Sequence, residues 1–400
     1  MTFLNDKYCI VGVGETEYSK SSGRTTQSLA AEAVRRAAED AGLDTREIDG
    51  LMCYHENDSV QPYVVATDLG MQLTLYMDTP GGGNATEALV AIAASAIESG
   101  LAKVVGIYRA LNGRSGVRLG GTGGSYVSSR GGGTEAQFWL PFGLSSAPSS
   151  YAMFAQRHMY QYGTTNQQMG MVAINARRNA SLNPKAVLRT PVTMADYEAS
   201  RMIVEPFRIM DCALETDGAC ALIVTSADRA KSLKHSPIHI SGAVARLCSP
   251  LARWLWAQED PTDWPGRQAG QRVLDMAGVT RRDIDLVMLY DCFTITVIKE
   301  MEDYGFCGKG EGGPFVAEGH IGLDGDLPVN PNGGLLAEAY VNGSNNVVEL
   351  VRQLRGEVDD GCRGKHTFDR THCRQIRNAE IGLSAVGLPQ GYASALVLRR

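Results

Sequence analysis

The stretch AGLDTREIDGLMCY, residues 41–54, returns as AGVTRRDIDLVMLY at residues 277–290, with seven of fourteen positions identical and no gap. Each copy follows a segment of helical periodicity and ends in an apolar run typical of a buried strand. Gly42 and Gly278 lie where a helix C-terminus favours a left-handed residue. Because the copies start 236 residues apart, the chain is predicted to contain two related α/β halves.

Further strand-like and helical segments surround both copies and extend this prediction. Apolar runs at 7–14, 74–78, 103–110, 219–227, 238–247 and 392–400 are typical of strands, and residues 84–100 of a helix. We predict that the first half occupies residues 1–111 and 211–230, and the second half residues 231–400. The insertion within the first half, residues 112–210, begins glycine-rich and then becomes helical. An insertion this long is usually functional, and it could cover a ligand or pack against a partner subunit.

Composition narrows the classes of function. The 400 residues are 44% hydrophobic and 20% charged with a net charge of -6, so neither nucleic acid nor an anionic membrane is expected as the main partner. Nine scattered cysteines without a CxxC pair favour a reducing compartment. The start of the chain does not resemble a signal peptide, and the apolar segments are too short to span a bilayer. We therefore predict a cytoplasmic protein.

Two other motifs are given structural interpretations. The glycines of GVG at residues 12–14 lack a third glycine at dinucleotide-binding spacing, so we interpret them as a turn at the end of a strand. The cluster Cys362, His366, His372 and Cys373 matches no standard zinc spacing. No metal site is predicted.

Three motifs resemble those of the thiolase superfamily, in its sterol-carrier-protein type. They are IVGVGETEYSK at residues 10–20, DCF at 291–293 and NPNGG at 330–334. The resemblance covers essentially the whole chain and implies a thiolase fold: a duplicated core of two α/β halves in layered sheets and helices, with a loop-domain insertion. It also implies a homodimer. Thiolases make or break a carbon–carbon bond beside a thioester, using a nucleophilic cysteine at a helix N-terminus.

The sequence departs from the family at its catalytic positions. The nucleophile loop reads DTPGGGNATEAL, with Gly82 or Gly83 where the cysteine is expected. Tyr340 stands at the histidine position of the loop NPNGGLLAEAYV, and Tyr290 at that of the motif YDCF. The glycine-rich C-terminal loop also lacks a cysteine. Covalent acyl transfer by the thiolase route is therefore predicted to be disabled.

Replacement of both histidines by tyrosine is similar to the thiolase-like aldolases of bacterial steroid side-chain degradation. Those enzymes cleave a β-hydroxyacyl-CoA side chain by a retro-aldol reaction and work with a separate OB-fold partner protein. The resemblance implies a 17-hydroxy steroid CoA thioester as substrate, with a 17-ketosteroid and propionyl-CoA as products. It implies Tyr290 and Tyr340 as catalytic residues, and no cofactor beyond the coenzyme A of the substrate.

The chemistry is compatible with two phenols. A retro-aldol cleavage needs a base for the β-hydroxyl proton, stabilisation of the enolate, and an acid that protonates the enolate. A tyrosine, with an ordinary pKa of about 10, donates a proton readily but accepts one only with a lowered pKa or a water relay. Which tyrosine has which role stays open. Backbone N–H groups around Gly82 and Gly83 are candidates for stabilising the enolate oxygen, because they precede a helix.

Several residues remain secondary candidates. Cys292 could act as an acid, a base or a nucleophile, although a small buried cysteine is the plainer interpretation. Asp291 could orient a neighbouring loop. Arginines around the insertion could meet the phosphates of coenzyme A; they are Arg109, Arg114, Arg118 and Arg130.

Two other functions remain open. One is a thiolase or condensing enzyme whose nucleophile has moved to Cys292, and the other is a non-catalytic scaffold that binds acyl-CoA or lipid. The sequence does not specify which steroid or acyl side chain is bound.

Overall fold

The computed structural model describes residues 6–56, 58–116, 118, 138, 140–144, 146–249, 259–358 and 370–400. The strands of this part of the chain are β1 Tyr8–Glu15, β2 Gly50–His55, β3 Leu75–Pro80, β4 Val104–Asn112, β5 Met202–Val204, β6 Phe207–Arg208, β7 Asp217–Ser226, β8 Ile238–Cys248, β9 Leu286–Leu289, β10 Ile381–Leu388 and β11 Tyr392–Arg399.

Its helices are α1 Thr26–Ala41, α2 Pro62–Asp68, α3 Ala85–Glu98, α4 Ala147–Tyr162, α5 Asn166–Ser181, α6 Met194–Ala199, α7 Ala227–Ala230, α8 Gly266–Ala277, α9 Thr294–Asp303, α10 Gly312–Ala317, α11 Gly334–Ala337 and α12 Ser344–Arg355. None of the helices in the described ranges is long and apolar enough to cross a membrane.

One large sheet carries the duplication. Its nine strands lie in the order β3-β2-β4-β7-β1-β8-β11-β10-β9, and the two halves meet where β1 and β8 pair antiparallel. Counted outward from this junction, β7 corresponds to β11, β4 to β10, and β2 to β9. The counterpart of β3 is a single parallel bridge between Val287 and Val329. The two copies of the sequence repeat end in β2 and β9, so the predicted duplicated α/β core is confirmed.

Helices cover both faces of this sheet. Helices α3 and α12 lie on one face and pack on strands of both halves. Helices α1 and α2 cover the other face of the first half, and α8 and α9 that of the second half. Helix α3 is rich in alanine and buried along most of its length, because small side chains allow close approach to its neighbours. This is the layered arrangement that the sequence predicts.

Local sequence explains how the repeated unit folds. The side chain of Thr25 accepts a hydrogen bond from the Ser28 N–H at 3.1 Å and caps the start of α1. Gly42 and Gly278 end α1 and α8 with φ of 74° and 66°, as predicted for left-handed C-caps. The short turns that follow lead directly into β2 and β9.

The interpretation of the GVG motif as a turn is wrong. Gly12 and Gly14 lie inside β1, and a Cβ at Gly12 would be 2.2 Å from the carbonyl oxygen of Ala37 in α1. The glycines are therefore needed for close packing of strand on helix. In the second half, Gly242 stands in the same relation to α8, where a Cβ would lie 2.5 Å from the Val273 oxygen.

The insertion between β4 and β7 contributes helices α4 and α5, at the two segments of helical periodicity. Both helices pack into the core of the second half, where Tyr151 and Met169 join the cluster around Phe293 and Leu335. The insertion therefore lies against the two motifs that carry the tyrosines. The domain boundaries at residues 111, 211 and 231 stay a prediction.

Candidate active site

Tyr290 and Tyr340 meet at one point in the structure. Their hydroxyl oxygens lie 2.8 Å apart, within hydrogen-bonding distance, and their rings form an edge-to-face contact with centroids 6.4 Å apart. Tyr290 follows the last residue of β9, and Tyr340 follows α11. The side chain of Tyr290 is only 4% exposed, whereas Tyr340 is half-buried. The fold thus brings together two residues fifty positions apart.

The ring of Tyr290 occupies the space next to Gly83. A Cβ built on Gly83 would lie 2.2 Å from Cζ of this ring, well inside van der Waals contact. A Cβ on Gly343, from the other side, would be 3.1 Å from the ring. Any side chain at position 83 would therefore need the volume that Tyr290 fills. The glycine is required by the tyrosine, and no nucleophile can be carried there while the ring stays in place.

The backbone of Tyr290 is anchored by buried groups. Its N–H donates to the carboxylate of Glu300 at 2.9 Å, and its carbonyl accepts from the hydroxyl of Thr296 at 2.9 Å. Both partners are in α9 and fully buried. Burial raises the pKa of Glu300 well above its ordinary value. These bonds fix where the ring enters the site.

The NPNGG loop positions Tyr340 by means of left-handed residues. Asn330, Gly333 and Gly334 have φ of 45°, 101° and 62°, conformations that asparagine and glycine tolerate best. The Asn330 side chain bonds both the N–H and the carbonyl of Leu289, at 2.8 and 3.0 Å, and so ties the loop to β9. The loop therefore has a fixed position relative to the strand that precedes Tyr290.

A buried cluster of amides lies behind the loop, around Glu338. Its carboxylate accepts hydrogen bonds from the side-chain amides of Asn183, Asn332 and Asn345, at 2.8, 2.5 and 2.8 Å. Burial raises the pKa of Glu338 to about 8. Asn183 follows α5, so the insertion also holds the loop. The residues of this cluster share no recognisable sequence motif.

A buried arginine extends the network from Tyr340 into the first half. The Asn342 amide donates to the Tyr340 hydroxyl at 3.3 Å, and its oxygen accepts from Arg109 at 3.2 and 3.0 Å. Arg109 is completely buried and forms an ion pair with Asp58 at 2.5 Å. The prediction that Arg109 meets coenzyme A phosphates is therefore wrong, because its guanidinium is already bound inside the protein.

Tyr54, the repeat counterpart of Tyr290, is bound differently. Its hydroxyl oxygen contacts the hydroxyls of Thr86 and Ser344 at 2.8 Å each and the carbonyl of Asn342 at 3.1 Å. Tyr54 is fully buried. This tyrosine joins the two central helices and is a structural residue.

Both phenols of the pair keep their protons. Burial raises the pKa of Tyr290 and Tyr340 above the ordinary value of tyrosine. For Tyr340 the negative charge of Glu56 raises the pKa further, whereas the hydrogen bond with Tyr290 and the charge of Arg109 oppose the rise. The pair is therefore suited to donating hydrogen bonds and protons. A base has to come from another group.

The two neighbours in the DCF motif have separate environments. Asp291 accepts the N–H groups of Leu335 and Leu336 at 2.9 and 3.2 Å, which caps α11, and burial raises its pKa to about 6. It orients the loop, one of the roles considered from sequence. Cys292 is 7% exposed, and burial raises the pKa of its thiol well above the ordinary value. A neutral, buried thiol is a poor nucleophile.

The remaining predicted residues lie around the glycine loop and the insertion. Gly82 borders the carboxylate of Glu56, whose Oε1 would be 2.8 Å from a Cβ at position 82. Arg118 is exposed and paired with Glu215, and the backbone N–H of Arg114 donates to Asp217 at 3.1 Å. Binding of coenzyme A by these arginines stays a prediction. Arg130, like Cys362 and His366, lies outside the described residues.

Sequence reasoning missed Glu56 and Asn342 as members of this site. Both follow a recognised element: Glu56 comes two residues after the first repeat, and Asn342 two residues after Tyr340. The repeat offers a usable signal, since the loop after Tyr54 must lie near the loop after Tyr290 if the halves are related by symmetry. Asn342 also has a positive φ of 50°, which favours asparagine at that position.

Known proteins resemble this chain over most of its length. Residues 252–400 match the family described as Thiolase C-terminal domain-like. The chain is 41% identical over 360 residues to the 17-hydroxy-3-oxo-4-pregnene-20-carboxyl-CoA lyase of Mycobacterium tuberculosis. The aligned residues cover 88% of this chain and 92% of the relative. The chain is 40% identical over 362 residues to the steroid side-chain-cleaving aldolase of Thermomonospora curvata, with coverages of 89% and 92%.

A solved structure has the same fold. The Ltp2-ChsH2(DUF35) aldolase superposes with a TM-score of 0.88 and 36% sequence identity, over 99% of this chain and 98% of that chain.

Proposed function

Because the chain belongs to the steroid side-chain-cleaving aldolases of the thiolase superfamily, we propose that it cleaves a 17-hydroxy steroid CoA thioester by a retro-aldol reaction. The chain is a carbon–carbon lyase of that superfamily. The proposed products are a 17-ketosteroid and propionyl-CoA. The relative from Mycobacterium tuberculosis is named for a 17-hydroxy-3-oxo-4-pregnene-20-carboxyl-CoA substrate, and this is the first compound to test.

The observation that carries the proposal is the phenol pair beside Gly83. Tyr290 and Tyr340 are 2.8 Å apart, and the ring of Tyr290 fills the space a nucleophilic side chain would need. A retro-aldol reaction forms no acyl-enzyme, so it does not require that nucleophile. It does require groups that exchange protons with the hydroxyl and the enolate, and two adjacent phenols can donate and relay such protons.

The steps follow from the substrate. A base removes the proton of the 17-hydroxyl, the bond between C17 and C20 breaks, and its electron pair moves into the enolate of the thioester. An acid then protonates C20. We assign proton transfer to Tyr290 and Tyr340, and stabilisation of the enolate oxygen to the N–H groups of Gly82 and Gly83, which precede Asn84, the N-cap residue of α3. The partial positive charge of a helix N-terminus favours an anion there.

Partners and cofactors follow from the same family. The substrate carries its own coenzyme A, and no other cofactor is proposed. The name of the similar solved aldolase joins Ltp2 to ChsH2(DUF35). This supports a heteromeric complex with an OB-fold partner of that type. We propose a homodimeric core within this complex.

Two other functions are less well supported. A thiolase whose nucleophile is Cys292 would need a reactive thiolate, whereas burial raises the pKa of this thiol. A lipid-binding scaffold would not explain why both histidine positions hold tyrosines in mutual contact.

The test uses the full chain copurified with its DUF35-type partner. The complex is incubated with 17-hydroxy-3-oxo-4-pregnene-20-carboxyl-CoA, and products are followed by liquid chromatography and mass spectrometry. We expect a 17-ketosteroid and propionyl-CoA in equal amounts. Tight binding of the thioester without turnover would support the scaffold instead, and a covalent acyl group on Cys292 would support the thiolase.

A further inference from the structure

The phenol pair needs a proton acceptor that neither tyrosine supplies. Both hydroxyls stay protonated at neutral pH, since burial raises both pKa values. Three carboxylates near the pair are engaged in structural bonds: Asp58 with Arg109, Asp291 with the backbone of α11, and Glu300 with the backbone of Tyr290. A fourth carboxylate, Glu56, lies directly beside the glycine loop.

Glu56 lies at the same glycine loop as Tyr290. Its Oε1 would be 2.8 Å from a Cβ at Gly82, and the Tyr290 ring 2.2 Å from a Cβ at Gly83. The two side chains therefore contact consecutive residues of the loop. Glu56 follows the carboxyl end of β2, is half-buried, and is anchored through its N–H to Asp58 at 3.0 Å. By the repeat, it is the counterpart of Cys292.

The charge of Glu56 reaches the site from this position. It raises the pKa of Tyr340 and of Arg109, so the carboxylate lies close enough to influence both. Tyr340 is thus subject to the charge of Glu56 and is bonded to Tyr290 at 2.8 Å. Three proton-carrying groups, Glu56, Tyr340 and Tyr290, therefore lie around the glycine loop and can be ordered in that series.

We propose that Glu56 accepts the proton that leaves the 17-hydroxyl of the substrate, with the Tyr340 hydroxyl as relay. This rests on the proposed aldolase function. As the substrate proton passes to the Tyr340 oxygen, the Tyr340 proton passes to Glu56. The alkoxide electrons form the ketone and the pair of the broken bond forms the enolate.

The proton then returns by the same series. Tyr290 protonates C20, the Tyr290 oxygen takes a proton from Tyr340, and Tyr340 takes one from Glu56. All three side chains recover their starting states, so one hydroxyl proton has moved to carbon with no oxidant, reductant or other reactant. The series assigns Tyr340 to the hydroxyl and Tyr290 to the enolate carbon.

The experiment compares Glu56→Gln, Glu56→Asp and the wild-type complex. Glu56→Gln keeps the size of the side chain but cannot accept the proton, so we expect kcat to fall about 10²–10⁴-fold with little change in the Kd for the thioester. The acidic limb of the pH profile of kcat/KM should disappear, and Glu56→Asp should recover part of the rate. Glu17→Gln, at an exposed site, is the matched control.

A kcat of Glu56→Gln close to wild type in an active complex would overturn the inference. So would a loss of rate in Glu56→Gln that is matched by an equal weakening of the Kd for the thioester and is not recovered by Glu56→Asp. If the wild-type complex itself released no ketosteroid, the proposed aldolase function would be wrong, independently of the role of Glu56.

Discussion

The fit between Gly83 and Tyr290 gives the sharpest prediction. Gly83→Ala adds one methyl group 2.2 Å from Cζ of the ring, and ordinary contact begins at 3.4 Å. The ring must therefore move by about 1 Å or more, and the phenol with it. A displacement of this size in a catalytic group costs about 10²-fold in rate. We expect kcat for cleavage of the C17–C20 bond to fall by about that factor.

Stability should also fall, by a modest amount. Adding a methyl group to a well-packed site costs about 1–3 kcal/mol. For a 400-residue chain the unfolding entropy is about 2.1 cal/mol/K per residue, so the melting temperature should fall by only about 1–4 °C. The assays are differential scanning fluorimetry and turnover of the copurified complex. Unchanged kcat and melting temperature would show that the Tyr290 ring is not fixed beside Gly83.

A double-mutant cycle separates this clash from other effects. Tyr290→Ala opens the space beside Gly83, so adding Gly83→Ala in that background should cost nothing or should stabilise the protein by filling part of the cavity. The double variant should therefore be more stable than the sum of the two single effects on the free energy of unfolding predicts. An additive cycle would contradict direct contact between the methyl group and the ring.

Four further substitutions test the rest of the site. Tyr290→Phe and Tyr340→Phe each remove one oxygen of the 2.8 Å pair, so kcat should fall about 10²–10⁴-fold while circular dichroism stays native; two fully active variants would rule out phenol chemistry. Asn342→Asp keeps the acceptor for Arg109 but removes the amide donor to Tyr340, so kcat should fall while thermal stability is retained; a fall in stability alone would make Asn342 purely structural. Burial raises the pKa of Glu338 from 4.5 to about 8, so its contribution to stability is full below about pH 4.5 and is lost as the pH rises through about 8. Urea unfolding across this range should show a flatter pH dependence for Glu338→Gln, and parallel curves would contradict the shift.

Much of the fold could be predicted from the chain because its signals are local. The helix, glycine cap and strand of each repeat copy depend on periodicity and on left-handed caps, and both copies fold as predicted. The strand β10 was missed because IGLSAVGL contains glycine and serine, whose place in a strand is decided by the neighbours β9 and β11. The GVG motif was misjudged for a similar reason, since α1 determines its packing.

The site was predictable where the family motif supplied a position. The register of NPNGG and YDCF identified Tyr340 and Tyr290, and the structure brings these residues into contact. Among their partners, Glu56 is readable only through the symmetry of the repeat, and Arg109 is not readable at all, because both come from distant segments of the first half. Arg109 was assigned to a phosphate because an arginine near a glycine-rich insertion gives no sign that it is buried. Burial depends on tertiary packing.

The contrast between Tyr54 and Tyr290 shows how a duplicated protein loses its symmetry. Both tyrosines lie at the end of corresponding strands, β2 and β9. The hydroxyl of Tyr54 contacts one residue of each central helix and the carbonyl of Asn342, whereas that of Tyr290 faces Tyr340. The residue type is therefore the same in both halves, and its surroundings decide which partners its hydroxyl has. Tyr54 thus gives the chain an internal reference: a buried tyrosine of the same origin, bonded only to structural groups, against which the proposed role of Tyr290 can be measured.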